Sequence, residues 1–171
     1  MMTALDASVH IRPARATDAD AIARLNNHYA DQHLMLRRTP ELIALSCDDY
    51  VVAVDARDRI VGCGALKEYS PSIAEVAAIA VAPDAQGLGL GRSIVAAVEH
   101  LARKRGIPEV FALTLAPAFF EALDYHRVDR ARYPEKIRRD CIGCPRRFAC
   151  NETCFAKSLR EIEQERMSAA A

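Results

Sequence analysis

Ala78-Ile79-Ala80-Val81-Ala82-Pro83-Asp84-Ala85-Gln86-Gly87-Leu88-Gly89-Leu90-Gly91-Arg92-Ser93 is the stretch that decides how this chain folds. An apolar run ends at a proline, three glycines follow at alternate positions, and helical spacing sets in at once. Glu75 to Val81 is nearly continuously apolar, the pattern of a central strand covered on both faces. From Arg92 to about Arg105, Ile94, Val95, Val98 and Leu101 share one helical face. Lys104, Arg105 and Gly106 stop that helix, with cations at the negative end of its dipole. Alternate glycines let backbone N–H groups turn toward one point, and the helix N-terminus behind them adds about half a positive charge. Such a cradle suits a pyrophosphate.

Two other phosphate-binding patterns fit less well. A P-loop needs Gly-Lys-Ser/Thr in register with an earlier glycine, and Gly91-Arg92-Ser93 lacks both. In a dinucleotide fingerprint the sixth position is glycine; counted from Gly87 it is Arg92, and from Gly89 it is Ile94. A bare strand-to-helix turn needs one glycine, and three carry an entropic cost.

Outward from this stretch, Val9 to Pro13 reads as a short first strand. Thr17-Asp18-Ala19-Asp20 offers an N-cap to a helix reaching about Asp31, with Ala21, Ile22, Leu25, His28 and Tyr29 on one side. Thr39-Pro40-Glu41 opens a second, shorter helix. Tyr50–Val54 and Arg59–Tyr69 form a hairpin around Asp55–Asp58, its second strand interrupted by Gly62 and Gly64. Val110–Leu115 is a strand, Ala118–Leu123 a short helix, and Tyr125 to about Val128 a last strand. The order implies an α/β fold, a mixed β-sheet with helices on both faces. Composition changes after Tyr133. Residues 1–132 are therefore read as the main domain and 133–171 as a basic, Cys-rich C-terminal appendage, with an amphipathic helix from about Phe155 to Met167.

The 171 residues, 51% apolar and 27% charged, exclude disorder and collagen as the main reading. Lys plus Arg equals Asp plus Glu at 23 each, which argues against nucleic acid or anionic lipid as a whole-surface partner. No apolar run is long enough to span a membrane. Met1 to His10 has no basic flank and apolar core, so the expected location is cytoplasmic.

Gln86-Gly87-Leu88-Gly89-Leu90-Gly91 behind Ile79-Ala80-Val81-Ala82-Pro83 resembles the GNAT acetyltransferase superfamily. Leu36-Arg37-Arg38-Thr39, Val61-Gly62-Cys63-Gly64-Ala65-Leu66, Ala74-Glu75-Val76-Ala77, Val110-Phe111-Ala112-Leu113-Thr114, Phe119-Phe120 and Tyr133-Pro134-Glu135-Lys136 resemble its N-acetylglutamate synthase branch, in the short bacterial form. The resemblance covers roughly residues 10 to 155. It implies acetyl-CoA as cosubstrate, with Ile79, Ala80 and Val81 along the pantetheine arm. Gln86, Gly87, Leu88, Gly89, Leu90, Gly91 and Arg92 would hold the phosphates. It further implies acetyl transfer to the α-amino group of an amino acid, L-glutamate first, by direct attack in a ternary complex at the entry to arginine synthesis. Another amino acid or small amine is the alternative acceptor. A non-catalytic module that senses acyl-CoA or redox state is the alternative of another class. A second copy of the chain is a candidate partner.

Such a transfer needs a base for the ammonium, a donor for the developing oxyanion and a proton for the leaving thiolate. A backbone N–H between residues 79 and 81 suits the oxyanion. Glu75, on the same strand, is the candidate base through a water; the alternative is a solvated strand end. Tyr125 is the candidate proton donor, against a plain packing role. Arg37 and Arg38, at a helix start, are candidates to clamp a substrate carboxylate, with Lys67 as a third. His28 and His33 read as packed or surface residues.

Cys47 and Cys63 read as small core residues. Cys141-x2-Cys144-x5-Cys150-x3-Cys154 has the spacing of a thiolate metal site, for zinc first and an iron–sulfur centre second. Reduced thiols or a labile disulfide are the alternative.

Overall fold

The computed structural model describes residues 9–160. Its elements are β1 (His10–Pro13), α1 (Ala19–Ala30), α2 (Pro40–Leu45), β2 (Tyr50–Val54), β3 (Ile60–Ser70) and β4 (Ile73–Val81). After these come α3 (Leu90–Lys104), β5 (Glu109–Thr114), α4 (Pro117–Glu121), β6 (His126–Arg127), α5 (Pro134–Lys136) and β7 (Thr153–Ser158). A wider helical turn, Ile137–Cys141, continues α5. The hydrogen-bonded strand order is β1-β2-β3-β4-β5-β7-β6. β4 and β5 are parallel and the β1–β2, β2–β3, β5–β7 and β6–β7 pairs antiparallel, the mixed sheet expected from the element order.

The chain packs as two compact units. The first takes in the described residues up to Leu66, with Val76–Leu101; the second holds Lys67–Glu75 and the described residues from Ala102 on.

In the first unit the two faces of β3 are read off by alternation. Cys63 and Ala65 join a core with Ile22 and Ala23 of α1, Ile43 of α2 and Val52 and Val54 of β2. Gly62 and Gly64 point the other way, where an added Cβ would lie 2.6 Å from Ile94 of α3. Residues i and i+2 of a strand share a face, so α1 and α3 lie on opposite sides of the sheet here. The expected N-cap of α1 is replaced by a different contact. The Asp18 carboxylate accepts from the Arg15 backbone N–H at 2.7 Å and from both terminal nitrogens of Arg12 at 2.7 and 3.1 Å. Thr39 does cap α2, accepting from the Leu42 N–H at 3.4 Å.

In the second unit, Ile73–Glu75 of β4 run parallel to Glu109–Phe111 of β5, and β7 covers β5 from Glu109 to Thr114. Phe111, Tyr133, Cys154 and Ala156 form its core, with the Phe111 and Tyr133 rings stacked 4.0 Å apart. The helix expected from Phe155 begins instead as strand β7, because pairing with β5 on one side and β6 on the other outweighs local helical spacing. Residues 161–167 of that expected helix lie outside the described residues. The expected domain boundary near 132 falls inside the second unit.

Candidate active site

The loop after β4 has the geometry its glycines imply. Gly87 and Gly89 adopt φ of 78° and 77°, left-handed values that a side chain disfavours. A Cβ at either would meet nothing within 4 Å, so backbone conformation demands these glycines rather than crowding. The N–H groups of Gly87, Leu88 and Gly89 donate to no acceptor among the described residues. Exposed, unpaired donors at the head of the fifteen-residue helix α3 fit the diphosphate of a coenzyme.

Tyr29 of α1 ties this loop to the strand before it. Its hydroxyl donates to the Val81 carbonyl and accepts from the Gln86 side-chain amide at 2.7 Å. One acceptor position of Val81 is thus already engaged by the protein. Ala78 adopts φ of 54°, a left-handed value in mid-strand that costs an alanine roughly 1–2 kcal/mol. The Cys63 thiol donates to the Ala78 carbonyl at 3.5 Å, and burial pushes that thiol up to about 12.

The two arginines expected at the substrate behave differently. Arg37 lies on the surface, paired with Asp31. Arg38 is half-buried and is held by its own backbone: its N–H donates to Asn27 Oδ1 at 3.0 Å and its carbonyl accepts from Asn27 Nδ2 at 2.9 Å. Its guanidinium donates to the Tyr50 hydroxyl at 3.3 Å and has no carboxylate partner among the described residues. Burial raises the Tyr50 phenol, and the Arg38 charge partly offsets that.

In the second unit, Glu75 is buried, and its Oε2 accepts from Tyr69 Oη and from Lys136 Nζ, both at 2.8 Å. Lys67, the third expected substrate cation, is committed to Asp140 through two contacts of 2.8 Å. Asp140 Oδ2 also contacts Tyr69 Oη, whose single proton serves one carboxylate at a time, and accepts from Lys136 at 3.1 Å. Burial alone would raise the Asp140 carboxyl, but hydrogen bonds from Lys67, Tyr69 and Lys136 outweigh it and hold the group well below its usual range. Burial and the neighbouring Glu75 drive the Tyr69 phenol far above its ordinary value, so it stays neutral. Burial works against the charge on Lys136, yet Glu75 and Asp140 more than compensate and raise it. Tyr125 is buried, edge-on to Phe120 with ring centroids 5.1 Å apart, and Lys157 sits over its face.

The four clustered cysteines do not form the expected metal site. Among the described residues no three His, Cys, Asp or Glu side chains come together in a way that could hold an ion. Cys154 turns into the core, where burial pushes its thiol up to about 11. Arg130 donates to Cys150 Sγ at 3.2 Å, and its charge also acts on Cys141. Cys144 accepts from the Arg146 N–H at 3.4 Å. A cation among the thiols disfavours a second one.

Sequence reading missed Tyr29, Tyr69, Lys136 and Asp140. The i,i+4 spacing of Lys136 and Asp140 was a visible signal for that pair. Nothing local marks the two tyrosines.

The Acetyltransferase (GNAT) family model matches residues 18–128. An uncharacterised N-acetyltransferase of Chlorobaculum tepidum is 38% identical over 149 residues, 87% of this chain and 96% of that protein. An amino-acid acetyltransferase of Neisseria meningitidis is 30% identical over 139 residues, 80% of this chain and 32% of its own length. N-acetylglutamate synthase from Neisseria gonorrhoeae, solved with coenzyme A and N-acetyl-glutamate, superposes with a TM-score of 0.79 at 27% identity, over 90% of this chain and 36% of that one. The chain thus spans about a third of the length of these Neisseria proteins. No helix among the described residues is long and apolar enough to cross a membrane.

Proposed function

The chain belongs to the GNAT acetyltransferase family, and from that premise we propose that it moves the acetyl group of acetyl-CoA to the α-amino group of L-glutamate, at the entry to arginine synthesis. Arg38 carries the reading. A half-buried guanidinium without an acidic partner is costly to leave uncompensated, and a substrate carboxylate would complete it with two parallel hydrogen bonds. The similarity to a synthase solved with N-acetyl-glutamate supports glutamate over other acceptors.

Bound coenzyme would supply an activated acetyl carbonyl. The chain's part is to grip the diphosphate with the free N–H groups of Gly87, Leu88 and Gly89, and to lay the coenzyme arm along Ile79 and Ala80. A backbone N–H between residues 79 and 81 would receive the developing oxyanion, and Glu75 Oε1, which carries no hydrogen bond from the described residues, would take the ammonium proton through a water.

The test is thiol release from acetyl-CoA against a panel of amino acids and small amines. Release that depends on glutamate above all others supports the reading. Release with a different acceptor, or tight coenzyme binding with no turnover on any of them, overturns it.

A further inference from the structure

We infer that Tyr69 and Asp140 form a proton exit from Glu75; the inference rests on the reading of Glu75 as the base. The three oxygens stand in line: Glu75 Oε2 lies 2.8 Å from Tyr69 Oη, which in turn contacts Asp140 Oδ2. The phenol has one proton and two carboxylates to give it to. At the inner end the Glu75 side chain is 7% exposed; at the outer end the Asp140 side chain is 24% exposed and meets water.

The transfer balances without any further reactant. The proton that Glu75 Oε1 takes from the acceptor ammonium comes to face Tyr69 when the protonated carboxyl turns about its Cγ–Cδ bond; that O–H bond then breaks as a new one forms on Tyr69 Oη. The original Tyr69 O–H bond breaks as its proton moves to Asp140 Oδ2. Asp140 releases the proton to water, and the hydroxyl turns back. The lowered proton affinity of Asp140 makes it a transient carrier: the step onto Asp140 is uphill and the release to water downhill.

The surrounding groups are suited to this traffic. Lys67 and Lys136 balance the charges of Glu75 and Asp140, leaving the phenol neutral between them. Lys136 touches both carboxylates and keeps its own proton, which makes it a positioning residue. Arg139 lies over the Tyr69 ring at 4.8 Å, and Phe111 packs against the same ring. Cys141 and Cys154 stand nearby with raised thiols, both because of burial first. Lys136, Arg139 and Asp140 all lie beyond residue 128, where the family match ends.

The experiment compares the parent protein with Tyr69→Phe and Asp140→Asn, on whichever acceptor the panel identifies. Coenzyme binding by calorimetry shows that each variant is folded. The expected result is a kcat about tenfold lower or more in Tyr69→Phe, with acceptor KM and coenzyme Kd within about twofold of the parent. The loss should shrink as 2-methylimidazole, a small proton carrier, is raised, while the parent does not respond. Asp140→Asn should follow the same pattern, and it decides the matter if Tyr69→Phe does not bind coenzyme. Parental turnover in a folded variant, or a loss that the carrier does not reduce, overturns the relay. Glu75→Gln separates the two ideas: turnover equal to the parent removes the base assignment itself, whatever the acceptor.

Discussion

The Tyr29 hydroxyl donates to the Val81 carbonyl, so a residue of α1 closes the final acceptor of β4 at the point where the glycine loop begins. The same oxygen holds Gln86, which makes Tyr29 a clamp on both ends of the turn. Tyr29→Phe removes both bonds without emptying the ring's packing space. Each is worth about 1 kcal/mol, so the variant should lose about 2 kcal/mol of stability, a fall in Tm of roughly 4–8 °C, and coenzyme Kd should rise by up to about thirtyfold in calorimetry. An unchanged Kd would show that the loop is set without the clamp.

Arg37 and Arg38 are neighbours in sequence with opposite expectations. Arg38→Ala should raise the glutamate KM about tenfold or more, the worth of a charge-assisted pair, and leave coenzyme Kd intact. Arg37→Ala should stay within about twofold, because its pairing with Asp31 is on the surface and both side chains are more than 60% exposed. Equal effects from the two variants would contradict the distinction.

Gly64 leaves room for α3. A Cβ there would lie 2.6 Å from Ile94 Cγ2, 2.7 Å from Ile79 Cδ1 and 3.2 Å from Val98 Cγ2. Gly64→Ala should cost about 1–3 kcal/mol through overpacking, which lowers Tm by roughly 2–10 °C in a chain of this size. Gly143→Ala, where a Cβ meets nothing within 4 Å, is the matched control and should be near neutral.

Acid stability follows from Asp18. The Arg12 hydrogen bond lowers its carboxyl, burial opposes that, and the Arg15 N–H adds to the lowering. A carboxylate with a depressed folded value stabilises the fold above its unfolded pKa of about 3.9 and loses that contribution as pH falls through the folded value. Tm should therefore drop below pH 4, and Asp18→Asn should be less stable at pH 7 with a flatter slope in acid. A parallel slope in both proteins would rule Asp18 out as a contributor.

The six thiols should divide by burial. Cys63, at about 12, and Cys154, at about 11, should react with a thiol reagent after unfolding alone. Cys47, Cys141, Cys144 and Cys150 are partly exposed and should react in the native protein. Six thiols titrating together without denaturant would contradict the placement of the two buried ones.

Much of the fold is legible in the sequence. The run from Glu75 to Ser93 announces strand, cradle and helix because apolar period, glycine spacing and helix onset agree over a short span. Thr39-Pro40-Glu41 marks α2 for the same reason of local consistency. What escaped was non-local. Thr153–Ser158 mixes polar and apolar residues without a clear period, and its strand state is decided by β5 and β6 on either side of it. Ala78 is an alanine in a glycine-like conformation, which its residue type conceals. Tyr69 meets Asp140 across 71 positions of sequence, a distance no local pattern spans. The cysteine spacing predicts a metal site, but spacing does not report that Cys154 turns into the core while Arg130 donates to Cys150.

Because β7 is wedged between β5 and β6, trimming the chain after residue 132 would strip the six-residue ladder from β5. A bare, largely apolar Glu109–Thr114 rim would then invite edge-to-edge stacking of molecules. Engineers seeking a minimal catalyst from this protein should expect inclusion bodies from that cut.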